Sequence, residues 1–150
     1  MTNLFHGIGD FIRIMLFSKM ILLTPNPVDL ARTKEFKPET PLKAITEGAT
    51  IYIDVTSTIG PKPKAEGIVE FRERVNKTFP AGSIEAALTG KNGVKIVLEH
   101  KGYVSFSDND VWLDLNREGG VPTGIQFDRV VITSRVELRQ VKIIWKNWKE

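Results

Sequence analysis

The sequence predicts a mainly β protein: an antiparallel β-sandwich of about seven strands, preceded by one apolar N-terminal helix. Three observations lead to this prediction. After residue 48, apolar and polar residues alternate over short runs, which is the pattern of strands that bury one face. Residues typical of turns separate these runs at intervals of about ten residues, as in sandwiches and small barrels. The same stretch shows no alternation of strands with helices, so a parallel sheet is not expected.

The first 24 residues are expected to form the helix. Between Phe11 and Leu23 the chain is mostly apolar, but Arg13 and Lys19 interrupt the run. A membrane-spanning helix needs about 20 mainly apolar residues, and a charge near its centre costs about 3 kcal/mol. The segment is therefore too short and too charged to span a bilayer comfortably, and too apolar to lie unprotected in water. We expect the rest of the protein, a partner or a membrane surface to cover it.

The residues expected to make this contact combine apolar side chains with the two basic ones, which would reach phosphates or the acidic groups of a partner. They are Phe11, Arg13, Ile14, Phe17, Lys19, Met20 and Ile21. A cleaved secretory signal is a weaker alternative, because Asp10 and no basic residue precedes the apolar run and no A-x-A sequence follows it.

Residues 25–47 are expected to form a proline-rich connector, and residues 48–150 the sandwich. Four prolines punctuate the connector, and proline fixes φ and removes a backbone donor. Leu30, Phe36 and Leu42 are the side chains of the connector that could pack on the sandwich.

The strands of the sandwich are predicted from alternation and from turn residues. Alternating runs predict strands at 50–56, 94–99, 103–106, 111–115, 126–133 and 136–148, the last with Trp145 in the core. Residues 68–75 fit either a strand or a helix, and a strand is preferred; residues 83–88 fit either a helical turn or a strand. Asn92-Gly93 predicts a tight hairpin turn. The sequence His100-Lys101-Gly102 predicts a second hairpin, which would leave His100 in solvent.

Composition and motifs argue against several classes of function. The chain has no cysteine, so neither disulfides nor thiolate chemistry are available. Residues 135–150 carry five basic and two acidic residues, which alone account for the net charge of +3. Nucleic acid is not an expected partner, because no broad basic stripe exists. We find no nucleophile elbow, no phosphate-binding loop and no zinc spacing for His6 and His100. The sequence therefore predicts no enzyme and identifies no small-molecule substrate.

An acidic loop over residues 108–118 is the candidate metal site. Asp114, Asn116 and Glu118 alternate ahead of a glycine, as in the first half of a calcium-binding loop. Asp108 and Asp110 could add carboxylates. The twelfth position is Ile125 instead of glutamate, so an ordinary β-turn is the preferred interpretation. Calcium is the one cofactor considered, and only as a weak candidate.

The C-terminal end interleaves basic and aromatic residues. Lys142, Lys146, Trp148 and Lys149 form a basic-aromatic face suited to a phosphate-rich surface. The preferred interpretation is a last strand whose lysines face solvent and protect a sheet edge. The triplet Asn76-Lys77-Thr78 spells a glycosylation sequon, to which we give no weight without a signal sequence.

Taken as a whole, the sequence predicts a non-enzymatic interaction or structural module, held at a membrane surface or in a multi-subunit assembly by its N-terminal helix. Its partner would be a protein or a membrane surface, and a membrane-associated or envelope location is favoured over the cytoplasm. The alternative is a sandwich that recognises carbohydrate or calcium through the acidic loop 108–118. An aromatic platform would help if exposed side chains cluster on one face, the candidates being Tyr52, Tyr103, Trp112 and Trp148. An enzyme with Asp108 and Asp114 as paired carboxylates is a third and less favoured hypothesis.

Overall fold

The computed structural model describes residues 19–147, with side chains from Met20 onward. In this part of the chain, ten strands form one antiparallel sheet that curls into a half-barrel, accompanied by two helices. The strands are β1 (Lys19–Leu22), β2 (Val28–Leu30), β3 (Thr33–Phe36), β4 (Leu42–Lys43), β5 (Thr50–Asp54), β6 (Ile84–Gly90), β7 (Lys95–Phe106), β8 (Val111–Asn116), β9 (Gln126–Ser134) and β10 (Leu138–Asn147). The helices are α1 (Thr56–Ile59) and α2 (Ile68–Thr78).

The strand order explains why the sheet is one layer and not two. It runs β1-β10-β5-β8-β7-β6-β9-β3, with β2 also beside β10 and β4 also beside β9. Every neighbour along this path is hydrogen-bonded, so the sheet contains no break at which two facing layers could separate. The mainly β, antiparallel class is confirmed, whereas the two-layer sandwich of seven strands is replaced by a single curled sheet.

The N-terminal strands bring the two edges of the sheet close together. β2 pairs with β10 at one edge and β3 pairs with β9 at the other, yet only Ala31 and Arg32 separate β2 from β3. The three Cα–Cα steps from Leu30 to Thr33 span at most about 11 Å, so the edges approach each other. The amide of Ser134 donates to the carbonyl of Arg32 at 2.6 Å across this junction. The sheet therefore wraps around its own core.

This arrangement differs from the predicted N-terminal parts. Of the expected helix over residues 1–24, residues 19–22 form a strand paired with β10, and Leu23 and Thr24 are not helical. The rest of that prediction falls on residues 1–18, outside the described residues. The expected connector contributes β2, β3 and β4 to the sheet. Its three apolar residues do pack as expected: Leu30 and Leu42 are buried, and Phe36 lies against the core.

The core lies on the concave face of the sheet. Alternate residues of each strand point inward, among them Ile51 and Ile53 of β5, Leu113 of β8 and Ile143 of β10, all fully buried. Trp145 is also fully buried, as predicted from its position in the last strand.

Helix α2 covers part of this core, where the sequence favoured a strand. Phe71, Val75 and Phe79 are fully buried, and their four-residue spacing puts them on one face of a helix. The rings of Phe71 and Phe106 meet edge to face at 5.2 Å. A bidentate ion pair between Arg74 and Glu66, with nitrogen–oxygen distances of 3.0 and 2.8 Å, ties the helix to the preceding loop. The helical alternative was therefore the correct one.

The two predicted hairpins have different outcomes. The Asn92-Gly93 turn is confirmed: Gly93 has φ +77°, and the amide of Gly90 donates to the carbonyl of Val94 at 2.8 Å. The second hairpin is wrong, because β7 runs through residues 100–102 without turning. The glycine at 102 instead serves a bulge, where the register with β8 shifts between His100 and Val104.

His100 is consequently buried and not solvated. It is inaccessible to solvent, and its Nε2 lies 2.9 Å from the carbonyl oxygen of Phe79, to which it donates as the neutral ring. Burial lowers the pKa of His100, and the hydrogen bond to Phe79 only partly opposes this. The hydrogen bond between His100 and Phe79 links the central strand β7 to the end of α2.

Candidate functional site

A groove lies at one end of the sheet, where three segments meet. These segments are 47–50, which enters β5; 101–103, the bulge of β7; and 116–120, which leaves β8. The groove is open to solvent and has a volume of about 460 Å³. This volume is within the range of about 300 to 1,000 Å³ that small-molecule sites occupy.

The segment that enters β5 is held by a residue far along the chain. Asn147, the last described residue of β10, is only 2% exposed. Its Oδ1 accepts from the amide of Ile45 at 3.0 Å, and its Nδ2 donates to the carbonyl of Lys43 at 2.9 Å. One buried side chain therefore fixes the backbone that leads to the groove.

The loop after β8 approaches the same segment closely. The amide of Val121 donates to the carbonyl oxygen of Glu47 at 3.1 Å. Gly120 has φ +78°, and a Cβ built on it would lie 2.4 Å from that same oxygen. Arg117 closes the loop, because its Nη1 donates to the carbonyl of Gly120 at 3.0 Å. A glycine at position 120 is therefore required for the two groove loops to meet.

Tyr103 is the aromatic side chain of the groove. It follows Gly102, which has φ +103°, in the bulge where three residues of β7, 101–103, lie opposite the single residue Asp114 of β8. A bulge redirects the side chains beside it. The side chain of Tyr103 is 61% exposed on the groove wall.

The charges of the groove are mixed. Lys101 and Arg117 are basic, and Glu47 and Glu118 are acidic, so the lining has no net formal charge. Thr50 and Asn116 lie side by side on the floor, where the Thr50 hydroxyl donates to Asn116 Oδ1 at 3.0 Å. The groove can thus offer donors and acceptors of both signs next to an aromatic ring.

Beside the groove, the convex face of the sheet carries a half-buried acid and a buried base. Asp114 lies opposite Tyr52, and Lys146 lies opposite Thr50, the residue shared with the groove floor. Ser105 donates to Asp114 Oδ2 at 2.9 Å. Among the described residues, no donor reaches the buried Oδ1. The ammonium of Lys146 lies 5.7 Å from the centre of the Tyr52 ring.

Burial has the largest effect on the pKa values of both Asp114 and Lys146. It raises the pKa of Asp114 to about 6, although Ser105 and the positive charges of Lys146 and Arg72 act in the opposite direction. Burial also lowers the pKa of Lys146, and the charge of Asp114 opposes that change. A carboxyl group that titrates near neutral pH is common at functional sites but also occurs in structural networks.

The acidic loop predicted as a metal site is not gathered at one place. Asp108 and Asp110 precede β8, and Asp114 lies within it. Asn116 ends β8 and Glu118 follows it, both at the groove. Burial and the nearby Asp54 raise the pKa of Asp110, while Lys142 lowers it. Within residues 19–147, no three acidic or histidine side chains are arranged to hold a metal ion.

The basic-aromatic face is only partly within the described residues. Lys142 is exposed, but Lys146 is only 8% exposed and lies against Tyr52. Trp148 and Lys149 lie outside the described residues. The expected solvent-facing row of lysines is therefore wrong at Lys146.

Most of the expected N-terminal contact residues also lie outside the described part: Phe11, Arg13, Ile14 and Phe17. Lys19, Met20 and Ile21 belong to β1. Ile21 packs against the core and is partly exposed. Met20 is half-buried on the opposite side of the strand.

Sequence reasoning named Asn116 and Glu118 but missed the groove itself. Tyr103 was one of four aromatic residues considered for a binding platform; of the others, Tyr52 and Trp112 are half-buried on the convex face. The glycines at 102 and 120 were the available signals, since both adopt positive φ at the groove.

The sequon residue Asn76 is half-buried and donates to the carbonyl of Gly102 at 3.1 Å, which does not suit glycosylation.

Comparison with protein-family models, with curated proteins and with solved structures finds no match to this chain. None of the helices within residues 19–147 has the length and apolar character that crossing a membrane requires.

Proposed function

We propose that this protein is a non-enzymatic binding module whose ligand occupies the groove between segments 47–50, 101–103 and 116–120. The observation that carries the proposal is the position of Tyr103: a strand bulge turns an aromatic ring onto the wall of an open, polar groove. Large exposed aromatic side chains stabilise binding more readily than folding, because they gain most when a ligand covers them.

The geometry favours binding over catalysis. Asp114, whose pKa burial raises to about 6, is hydrogen-bonded to Ser105 and is not part of the groove lining. A general acid or base must come within hydrogen-bond reach of the reacting group. We therefore assign Asp114 a structural role in the sheet beside the groove.

A screen of small-molecule fragments against the isotope-labelled protein, followed by amide chemical shifts, tests the proposal. We expect hits that shift the amides of residues 47–50, 101–103 and 116–120 together. The variant Tyr103→Ala is expected to weaken these hits at least tenfold, the equivalent of about 1.4 kcal/mol. Hits that cluster elsewhere on the surface, or hits unaffected by Tyr103→Ala, would show that the groove is not the ligand site.

Anchoring through the N-terminal residues remains a second proposal, supported by the apolar run from Phe11 onward. Co-sedimentation with vesicles of phosphatidylcholine and phosphatidylglycerol tests it. The full chain should sediment, and Phe11→Ser combined with Phe17→Ser should abolish sedimentation without a change in the thermal midpoint. These substitutions leave residues 19–24 intact, which matters because β1 pairs with β10 and Leu23 is buried. A full chain that stays in the supernatant would remove the membrane from this proposal.

A further inference from the structure

We infer that the ligand of the groove is a neutral carbohydrate, a short oligosaccharide that stacks one ring on Tyr103 and directs its hydroxyl groups to the surrounding polar side chains. This inference rests on the proposed function, because it names the ligand class of the same site. It follows from three properties of the groove: its aromatic wall, its balance of charges and the shape of its polar groups.

The aromatic wall suits a sugar ring. A pyranose has a face of C–H groups and a rim of hydroxyl groups, so it can lie flat on an aromatic ring while its rim remains solvated or hydrogen-bonded. Tyr103 offers such a face together with a hydroxyl group. Among the described residues, it is the one aromatic side chain with a large exposed surface. The strand fixes the backbone of Tyr103 at the bulge, and a tyrosine has only two side-chain torsions to immobilise on binding.

The balance of charges disfavours strongly charged ligands. Glu47 and Glu118 would repel a phosphate or a sulfate, and Lys101 and Arg117 would repel a divalent cation. Calcium also requires about six to eight oxygen ligands, and the carboxylates of the acidic loop are spread along β8 instead of surrounding one point. A neutral ligand meets no net repulsion in this groove.

The planar polar groups of the groove side chains can pair with adjacent hydroxyl groups of a sugar. Carboxylates, the guanidinium group and the carboxamide are planar and can each engage two ligand atoms at once. Glu47, Arg117 and Asn116 supply one of each kind. Two of them are already oriented by the protein, since Arg117 donates to Gly120 and Asn116 accepts from Thr50. Adjacent hydroxyl groups of a sugar, each both donor and acceptor, are the complementary ligand.

Titration of the labelled full-length protein with separate probes tests the inference. The probes are cellopentaose, maltopentaose and chitopentaose as neutral oligosaccharides, with sodium phosphate and calcium chloride as charged probes. We expect at least one neutral oligosaccharide to shift the amides of the three groove segments. Tyr103→Ala should weaken this binding at least tenfold, and Tyr103→Phe should retain most of it. Val97→Ala removes an exposed side chain from the same strand, away from the groove lining, and should leave binding unchanged.

The outcomes separate the ligand class from the function. If phosphate or calcium shifts the groove amides and no oligosaccharide does, the carbohydrate inference is overturned and the binding module stands. If fragments unrelated to sugars bind in the groove and no oligosaccharide does, the carbohydrate inference is likewise overturned and the binding module stands. If neither fragments nor probes perturb the groove, the proposed function falls together with its ligand class. If an oligosaccharide binds but Tyr103→Ala does not weaken it, stacking on Tyr103 is refuted.

Discussion

Replacing Gly120 with alanine is expected to destabilise the fold by about 3 kcal/mol and to disrupt the groove. About 1 kcal/mol comes from placing a side chain at φ +78°. The remainder comes from overpacking, because the new Cβ would lie 2.4 Å from the carbonyl oxygen of Glu47. That oxygen belongs to the backbone of the opposite groove loop, which cannot move without stretching its bond from Val121. Urea denaturation, read as the free energy of unfolding, measures the effect.

Gly119→Ala is the matched control for this prediction. Gly119 has φ +80°, almost the same as Gly120, but nothing lies within 4 Å of its Cβ position. It should therefore show only the backbone cost of about 1 kcal/mol. Amide shifts at residues 47–50 should change in Gly120→Ala and remain close to wild type in Gly119→Ala. Equal losses of stability in the two variants would contradict the close approach of the loops.

Replacing Asp114 with asparagine is expected to stabilise the protein at pH 8 by about 2 kcal/mol and to have little effect at pH 4. The pKa of Asp114 is about 6 in the folded protein, above the ordinary value of 3.8. Between these values the folded state holds a proton that the unfolded state has released, so stability contributed by this group is present below about pH 4 and is lost as pH rises through 6. Asparagine avoids the cost of ionising a half-buried group and can still accept from Ser105.

Denaturation curves at several pH values between 4 and 8 measure this effect. Asp108→Asn, on an exposed loop, controls for the removal of one negative charge. Lys146→Met should shift the transition to higher pH, because the charge of Lys146 lowers the pKa of Asp114. The contribution of His100 to the free energy of unfolding changes in the opposite direction, because its lowered pKa costs stability as pH falls below about 6.5. This contribution is the same in wild type and variant, so it cancels in the comparison. A gain of the same size at pH 4 and pH 8 would show that ionisation is not its cause.

Helix α2 shows where local pattern was ambiguous. Strand and helix interpretations of residues 68–75 share Phe71 and Val75, and they differ mainly in the treatment of Glu73. Only Phe79, one turn further, extends the helical spacing. Phe79 is fully buried, and its backbone carbonyl is bonded to the side chain of His100 in β7, 21 residues away. Short apolar runs of this kind cannot be assigned from periodicity alone.

The groove could not be predicted from local sequence patterns. Asn116 and Glu118 stood out because acidic and amide residues next to glycine resemble a calcium loop, and both do line the groove. Their partners come from elsewhere: Glu47 lies at the entry to β5, and Tyr103 at a bulge in β7. No spacing in the sequence links these positions, since the link is made by strand pairing.

The features that could be predicted from the sequence are local ones. Alternation with a period of two identified the central strands and the inward side of β5, β8 and β10. The Asn92-Gly93 sequence identified the hairpin turn between β6 and β7. Leu30 and Leu42 were recognised as side chains of the connector that pack on the sheet. These follow from the chemistry of neighbouring residues.

The curl of the sheet, the burial of His100, the pairing of β1 with β10 and the groove could not be predicted from local patterns. Each depends on contacts between distant residues, as when Asn147 holds Ile45 across 102 positions. Alternation specifies which face of a strand is buried but not which strand lies beside it, because many neighbours can bury the same face equally well.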